Sequence, residues 1–399
     1  VLWVSGAPCL ELDMDLYEPG APLDDFVLSQ VAEQEKVDRH RLRMVPMDGS
    51  LLQQSCSWED YGKPKEVRVV LLELTNEFAS ALLEAARVGN EPIVGNCLAK
   101  CQDPNCRDAQ GRSALWLSVE QGHAEVAAAL LSAAANVEAA DQNGVSPLSI
   151  AARRGHLFAV ECLCGRKADL LSASVSGVVP LLAASDGLTP RLKAKRKLPV
   201  LRYLLAARCS PNVARHDGVT CLHLAAEQGC ADGVTLLLEA GALINATEEA
   251  GSTPLLLAAS AGRGEVVDLL LSHSASVEIR TMDGWTPFSQ AASHGHVHVL
   301  DHLLRARANP NATQQEGATP LYLAVQAGRL EVISFLLAAS SDVNLPAHDG
   351  FTPLMVAAYL GQPGVVQNLL LAAADPSRRS EGDATARDIA QASGDSAGH

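Results

Sequence analysis

The chain has 399 residues, a formal charge of −15, and 48% hydrophobic but only 4% aromatic residues. That acidic balance argues against nucleic-acid binding, which needs a basic face, and favours protein partners and solubility. The ten cysteines show no framework-like spacing, so they read as reduced thiols of a cytoplasmic protein, and no apolar stretch is long enough for membrane insertion.

The segment from Val1 to about Leu74 stands outside any repeat. Leu10, Leu12, Met14 and Leu16 alternate with Glu11, Asp13 and Asp15, which predicts a half-buried strand. Val1 to Val4 can pair with it across Gly6-Ala7-Pro8. Leu23, Phe26, Val27 and Val31 have helical spacing. Arg41 to Val45 and Val67 to Leu72 read as further strands, with Asp48-Gly49 as a hairpin turn. With Trp58-Glu59-Asp60-Tyr61-Gly62 ahead of Val67-Arg68-Val69-Val70-Leu71, residues 1–74 resemble a small α+β ubiquitin-like (β-grasp) domain. The resemblance implies either a dock for the ubiquitin–proteasome system or a mere N-terminal folding cap. Two departures limit it. Glu73-Leu74-Thr75-Asn76 stands where conjugation needs a basic tail with two glycines, and Arg43 falls in the expected apolar recognition patch. The domain is therefore not expected to be conjugated.

Beyond it a frame of 33 residues organises the chain. Gly111, Gly144, Gly177, Gly218, Gly251, Gly284, Gly317 and Gly350 mark it, with a single longer step of 41 after Gly177. Ser146-Pro147-Leu148, Thr253-Pro254-Leu255, Thr319-Pro320-Leu321 and Thr352-Pro353-Leu354 follow two residues after their glycines. The Thr or Ser is a helix N-cap, and proline suits the first helical position because its missing N–H costs nothing there. Ala pairs such as Ala258-Ala259 favour helix and let helices approach. A second glycine, eleven residues after the first, ends that helix, and a Val/Leu-rich second helix follows. A period of this length means stacked supersecondary units.

His216-Asp217-Gly218-Val219-Thr220-Cys221-Leu222-His223-Leu224-Ala225-Ala226 resembles the ankyrin repeat, histidine included. Eight units begin at Asp108, Asp141, Ser174, Arg215, Glu248, Thr281, Gln314 and Ala347. The fold expected is a mostly α ankyrin solenoid of helix-turn-helix and hairpin units. Its parts are a degenerate cap repeat over 75–107, eight repeats over 108–378, and a truncated cap and tail over 379–399. The resemblance implies a non-enzymatic, monomeric scaffold or adaptor that takes other proteins on hairpin tips and inner helices. The exposed positions are then two before the first glycine, one after it, and two before the second. They include Arg153 and Arg154 in repeat two, Met282 and Trp285 in repeat six, and Phe351, Tyr359 and Leu360 in repeat eight. Trp285, Phe351 and Tyr359 could anchor a partner or lie against the adjoining repeat.

Two features are not explained by the frame. Repeat three carries Val179 where the cap belongs, and a basic insert at 188–197 with Arg191, Lys193, Lys195, Arg196 and Lys197. The run reads as an interhelix loop that either carries a nuclear-import or acidic-partner signal or is simply solvated. His294, His296, His298 and His302 are dense, and His298 and His302 share a helix face, but the repeat explains them as exposed, solvated side chains. No motif for catalysis, metal, cofactor or small-molecule substrate is found, and Cys97, Cys101 and Cys106 lack zinc-ligand spacing.

Overall fold

The computed structural model describes the backbone of four strand segments and residues 78–396 except 101, 189–191 and 340, without the side chains of 192–194 and 394–396. Two compact units, Val1–Val175 and Ser176–His399, divide the chain within the third repeat's hairpin.

In the first unit, β1 (Leu2–Val4), β2 (Ala7–Leu10), β3 (Leu42–Pro46) and β4 (Val67–Leu71) form one sheet in the order β2-β1-β4-β3. β1 runs antiparallel to β2 and parallel to β4, and β3 runs antiparallel to β4 with Leu42 opposite Leu71. β2 lies ahead of most of the alternating run. Residues 11–16, the helix expected around Leu23 to Val31, Asp48-Gly49 and Trp58 to Gly62 lie outside the described residues.

Three helix pairs follow: α1 (Ala79–Val88) and α2 (Glu91–Ala99), α3 (Ala114–Gln121) and α4 (Ala124–Ser132), α5 (Pro147–Arg154) and α6 (Leu157–Gly165). First helices stack on first helices and second on second, so each pair shares its core with its neighbours. Leu82, Leu115, Leu130, Ile150 and Leu163 are fully buried between them.

The second unit continues the pattern. Its inner row is α7 (Pro180–Ser185), α9 (Cys221–Gln228), α11 (Pro254–Ser260), α13 (Pro287–His294), α15 (Pro320–Gln326), α17 (Pro353–Tyr359) and α19 (Ala386–Ser396). Its outer row is α8 (Leu192–Ala206), α10 (Ala231–Glu239), α12 (Gly264–Ser272), α14 (Val297–Arg305), α16 (Leu330–Ala338) and α18 (Pro363–Leu371). The capping logic is met directly: Thr253, Thr286 and Thr319 Oγ1 accept the N–H of Leu256, Ser289 and Tyr322 at 3.2, 3.1 and 3.2 Å. Val179 makes no such bond, and α7 is the shortest helix of the row at six residues.

The basic run is not the loop its sequence suggests. From residue 192 it is already helix, and α8 runs fifteen residues against nine for α10 and α12. Lys, Arg, Leu and Ala are strong helix formers, so the insert extends the outer helix forward through Pro199. Pro199 sits where the neighbouring outer helices begin, which limits its cost to the few residues added before it.

Candidate protein-binding site

The hairpin tips of the second unit are held in register by backbone bonds. Met282 N–H donates to Ala250 O at 2.8 Å, Gln315 to Asp283 at 3.0 Å, His348 to Glu316 at 2.9 Å and Glu381 to Asp349 at 3.1 Å. Glycine permits this approach: at φ +76°, a Cβ on Gly350 would lie 2.7 Å from the Glu381 nitrogen. Asp283, Glu316 and Asp349 are thereby exposed at successive tips. A cleft of about 440 Å³ between the last two is lined by Glu316, Tyr322, His348 and Asp349. Burial there pushes the Tyr322 phenol up, and the Asp349 and Glu316 carboxylates add to it.

The expected anchors divide. Met282 is 71% exposed and Tyr359 63%. Trp285 and Phe351, expected to face solvent, are only half-exposed. Their backbones are tied into the hairpin turns. Trp285 N–H donates to Thr281 Oγ1 at 3.1 Å, and Phe351 N–H to Asp349 Oδ1 at 3.0 Å. Tyr359 and Leu360 instead end α17 at the rim of an apolar groove of about 1090 Å³ between α17, α18 and α19. Val366, Leu370 and Leu371 of α18 line it with them, and none of these three was expected from the sequence. The signal that could have found them is the frame itself: Leu371 stands where the preceding repeats carry Glu239, Ser272, Arg305 and Ala338.

The other candidates are not among the residues that line the groove. Arg153 and Arg154 belong to the first unit; both are exposed, and Arg154 pairs with Glu120 at 2.6 Å. Arg191 lies outside the described residues and Lys193 is known by its backbone alone. Lys195 and Arg196 are exposed on α8, but Lys197 is buried and its ammonium donates to the Asp186 carbonyl at the end of α7.

Of the four histidines, His294 and His298 are exposed as expected, whereas His296 and His302 are half-buried. His296 Nε2 bonds Ser260 O at 2.9 Å, His298 Nε2 bonds Gly262 O at 3.1 Å, and His302 Nδ1 pairs with Asp268. All three reach back to the preceding repeat. Arg263 and Arg329 do the same through Glu227 O at 3.1 Å and Ser293 O at 3.0 Å. Burial holds the His296 ring below its ordinary value. Cys97 and Cys106 are buried, and burial pushes the Cys106 thiol up to about 11. Cys221 is pushed to about 12 by burial. These thiols are poor nucleophiles. Among the described residues no group of three or more His, Cys, Asp and Glu is placed to hold a metal.

A family model described as ankyrin repeats, in three copies, matches residues 82–174, 170–248, 192–283, 242–314 and 288–380. No curated protein matches the chain. Among the described residues no helix is long and apolar enough to cross a membrane.

Proposed function

We propose that this chain, which belongs to the ankyrin-repeat family, is a non-enzymatic scaffold whose main docking surface lies on the C-terminal repeats of the second unit. Ankyrin repeats are in general protein–protein interaction modules. One observation carries the finer reading. Tyr359 and Leu360 stand exposed at the end of an inner helix, at 63% and 42%, on the rim of an apolar groove. A scarce aromatic left in water beside apolar surface is the composition of an interface anchor. Met282 adds a second exposed apolar side chain on the sixth tip. The test is affinity capture from cell extract with the parent and Tyr359→Ala. The reading expects partners to be lost with the variant while its thermal unfolding stays parental.

A second reading concerns residues 1–74. The strand order β2-β1-β4-β3, with β1 and β4 parallel, supports a ubiquitin-like β-grasp and a docking role in the ubiquitin–proteasome system. Capture of proteasome subunits by the full chain, abolished when residues 1–74 are deleted, is the outcome this reading requires. The import reading takes in the whole run, Arg191, Lys193, Lys195, Arg196 and Lys197, of which Lys195 and Arg196 stand exposed on α8. Replacing both with alanine should hold a tagged chain in the cytoplasm if they carry a nuclear signal, and leave its distribution unchanged if they do not.

A further inference from the structure

Between Asp186 and Asp217 the chain holds eight Lys and Arg and no Asp or Glu, although acidic residues outnumber basic ones 46 to 31 overall. α8 lies in the middle of this segment. Lys197, Val200, Leu201 and Leu204 are buried and fix the side of α8 that faces the unit. Away from them, Lys195, Arg196, Pro199, Arg202 and Ala206 are exposed. At about 100° per residue, Lys195, Pro199, Arg202 and Ala206 share one narrow stripe, with Arg196 along its edge. At about 1.5 Å per residue, Lys195 and Arg202 stand about 10 Å apart along the axis. On the stripe only Pro199, a compact side chain, lies between them.

Elsewhere the fold neutralises such cations locally. Arg87, Arg112, Arg305 and Arg379 each pair with a carboxylate three or four residues away. α8 offers no carboxylate at that spacing. Among the described residues, Lys195, Arg196 and Arg202 form no ion pair. Like charges three and four residues apart, as at Lys193, Arg196 and Lys197, destabilise a helix. An anion laid against them relieves that repulsion. The added length of α8, fifteen residues against nine for α10 and α12, also carries Lys195 and Arg196 ahead of Pro199, where the neighbouring outer helices begin.

We propose that the exposed stripe of α8 binds an acidic segment of a partner protein, laid in extended form along the helix with carboxylates opposite Lys195, Arg196 and Arg202. A polyproline II segment places every third side chain on one side, about 9 Å apart, which matches the step from Lys195 to Arg202. Other polyanions fit less well. The stripe exposes no aromatic ring and no long apolar side chain, so bases find no stacking platform and acyl chains no anchor. A duplex or a bilayer would also meet the field of a chain of charge −15, whereas a short segment is screened from most of it beyond about 8 Å at physiological ionic strength. α8 and the Tyr359 groove share no lining residue, so the outcome at one leaves the other unaffected.

The probe is a fluorescein-labelled peptide of Glu-Pro-Ser repeated four times, and its control carries Gln for Glu. Fluorescence anisotropy with the full chain at low ionic strength should show saturable binding of the probe that weakens as sodium chloride is added, and none of the control. The triple variant Lys195→Gln, Arg196→Gln, Arg202→Gln should weaken it about tenfold or more. Lys197 is kept because it is buried. A second triple variant, Arg153→Gln, Arg307→Gln, Arg387→Gln, removes the same charge from other exposed positions and should bind close to the parental value. Glutamine is a good helix former, and a parental circular-dichroism melt verifies that both variants fold. Absence of saturable binding overturns the inference, as does parental binding by the α8 variant. Equal weakening by the second variant also overturns it, because net charge would then be the cause. Tighter binding of a thymidine oligonucleotide or of phosphatidylserine vesicles than of the probe, lost in the α8 variant, overturns it and gives the stripe to that polyanion. A parent that self-associates at low salt, and is made monomeric by the α8 variant, overturns it in favour of a second copy.

Discussion

His223 shows how a single side chain ties two repeats together. It is fully buried, and its Nδ1 accepts the Thr220 N–H at 3.2 Å and faces Thr220 Oγ1 at 2.8 Å. Its Nε2 donates to Ser252 O in the following repeat at 3.0 Å. This pattern requires a neutral ring, and burial, partly offset by the Ser252 bond, holds its pKa below the ordinary value. The folded state therefore resists protonation more than the unfolded chain does. The stabilisation is complete above the unfolded value of about 6.5 and is lost as pH falls toward and through the lowered folded value. The thermal midpoint should drop across that window, and His223→Gln should flatten the drop while lowering the midpoint at neutral pH. A second prediction concerns Lys197. Lys197→Met removes a buried donor from the Asp186 carbonyl and should cost about 1–3 kcal/mol in chemical denaturation, whereas Lys195→Met should stay within about 0.5 kcal/mol. Roles set by neighbours in the chain, such as the Thr253 and Thr286 caps and His223, are legible in the sequence alone. The grips of His296, Arg329 and His302 are not, because each joins residues 34 to 36 positions apart through carbonyls or carboxylates the motif does not specify.

Among elements, α7 and α8 depart most from the frame. α7 lacks a capping side chain at Val179, a loss worth about 0.5–2 kcal/mol. In a nearest-neighbour stack that loss stays local. Residues 174–205 should therefore exchange amide hydrogens faster than repeats five to seven, and uniform protection would contradict the account. The missing cap is readable from Val179 alone. The length of α8 is not, because charge and an internal proline argue for a loop, and only the buried stem of Lys197 reveals what anchors the added turns. Deleting Arg191 to Lys197 should consequently destabilise the third repeat instead of leaving it untouched. α18 teaches the complementary lesson. Its sequence reads as one more outer helix, and what makes it a candidate site is the exposure of Leu370 and Leu371 beside Tyr359.

At the scale of the molecule, the repeat predicts architecture well because every unit states the same local rules, and it predicts a partner poorly because those rules are about stacking. In the second unit Tyr359, Leu360, Leu370 and Leu371 come together as exposed apolar side chains lining one groove. Acidic tips at Asp283, Glu316 and Asp349 share that unit, and Arg153 lies in the other. The most direct test of the central claim is quantitative capture of partners from cell extract by the parent, Tyr359→Ala and Arg153→Ala, with thermal unfolding measured on the same samples. A buried aromatic anchor is commonly worth at least about 2 kcal/mol, or about thirtyfold in affinity. Tyr359→Ala should therefore lose capture by about that factor with an unchanged thermal midpoint, while Arg153→Ala captures as the parent does. Parental capture by Tyr359→Ala, or loss of capture only together with unfolding, would contradict the placement of the docking surface on the C-terminal repeats.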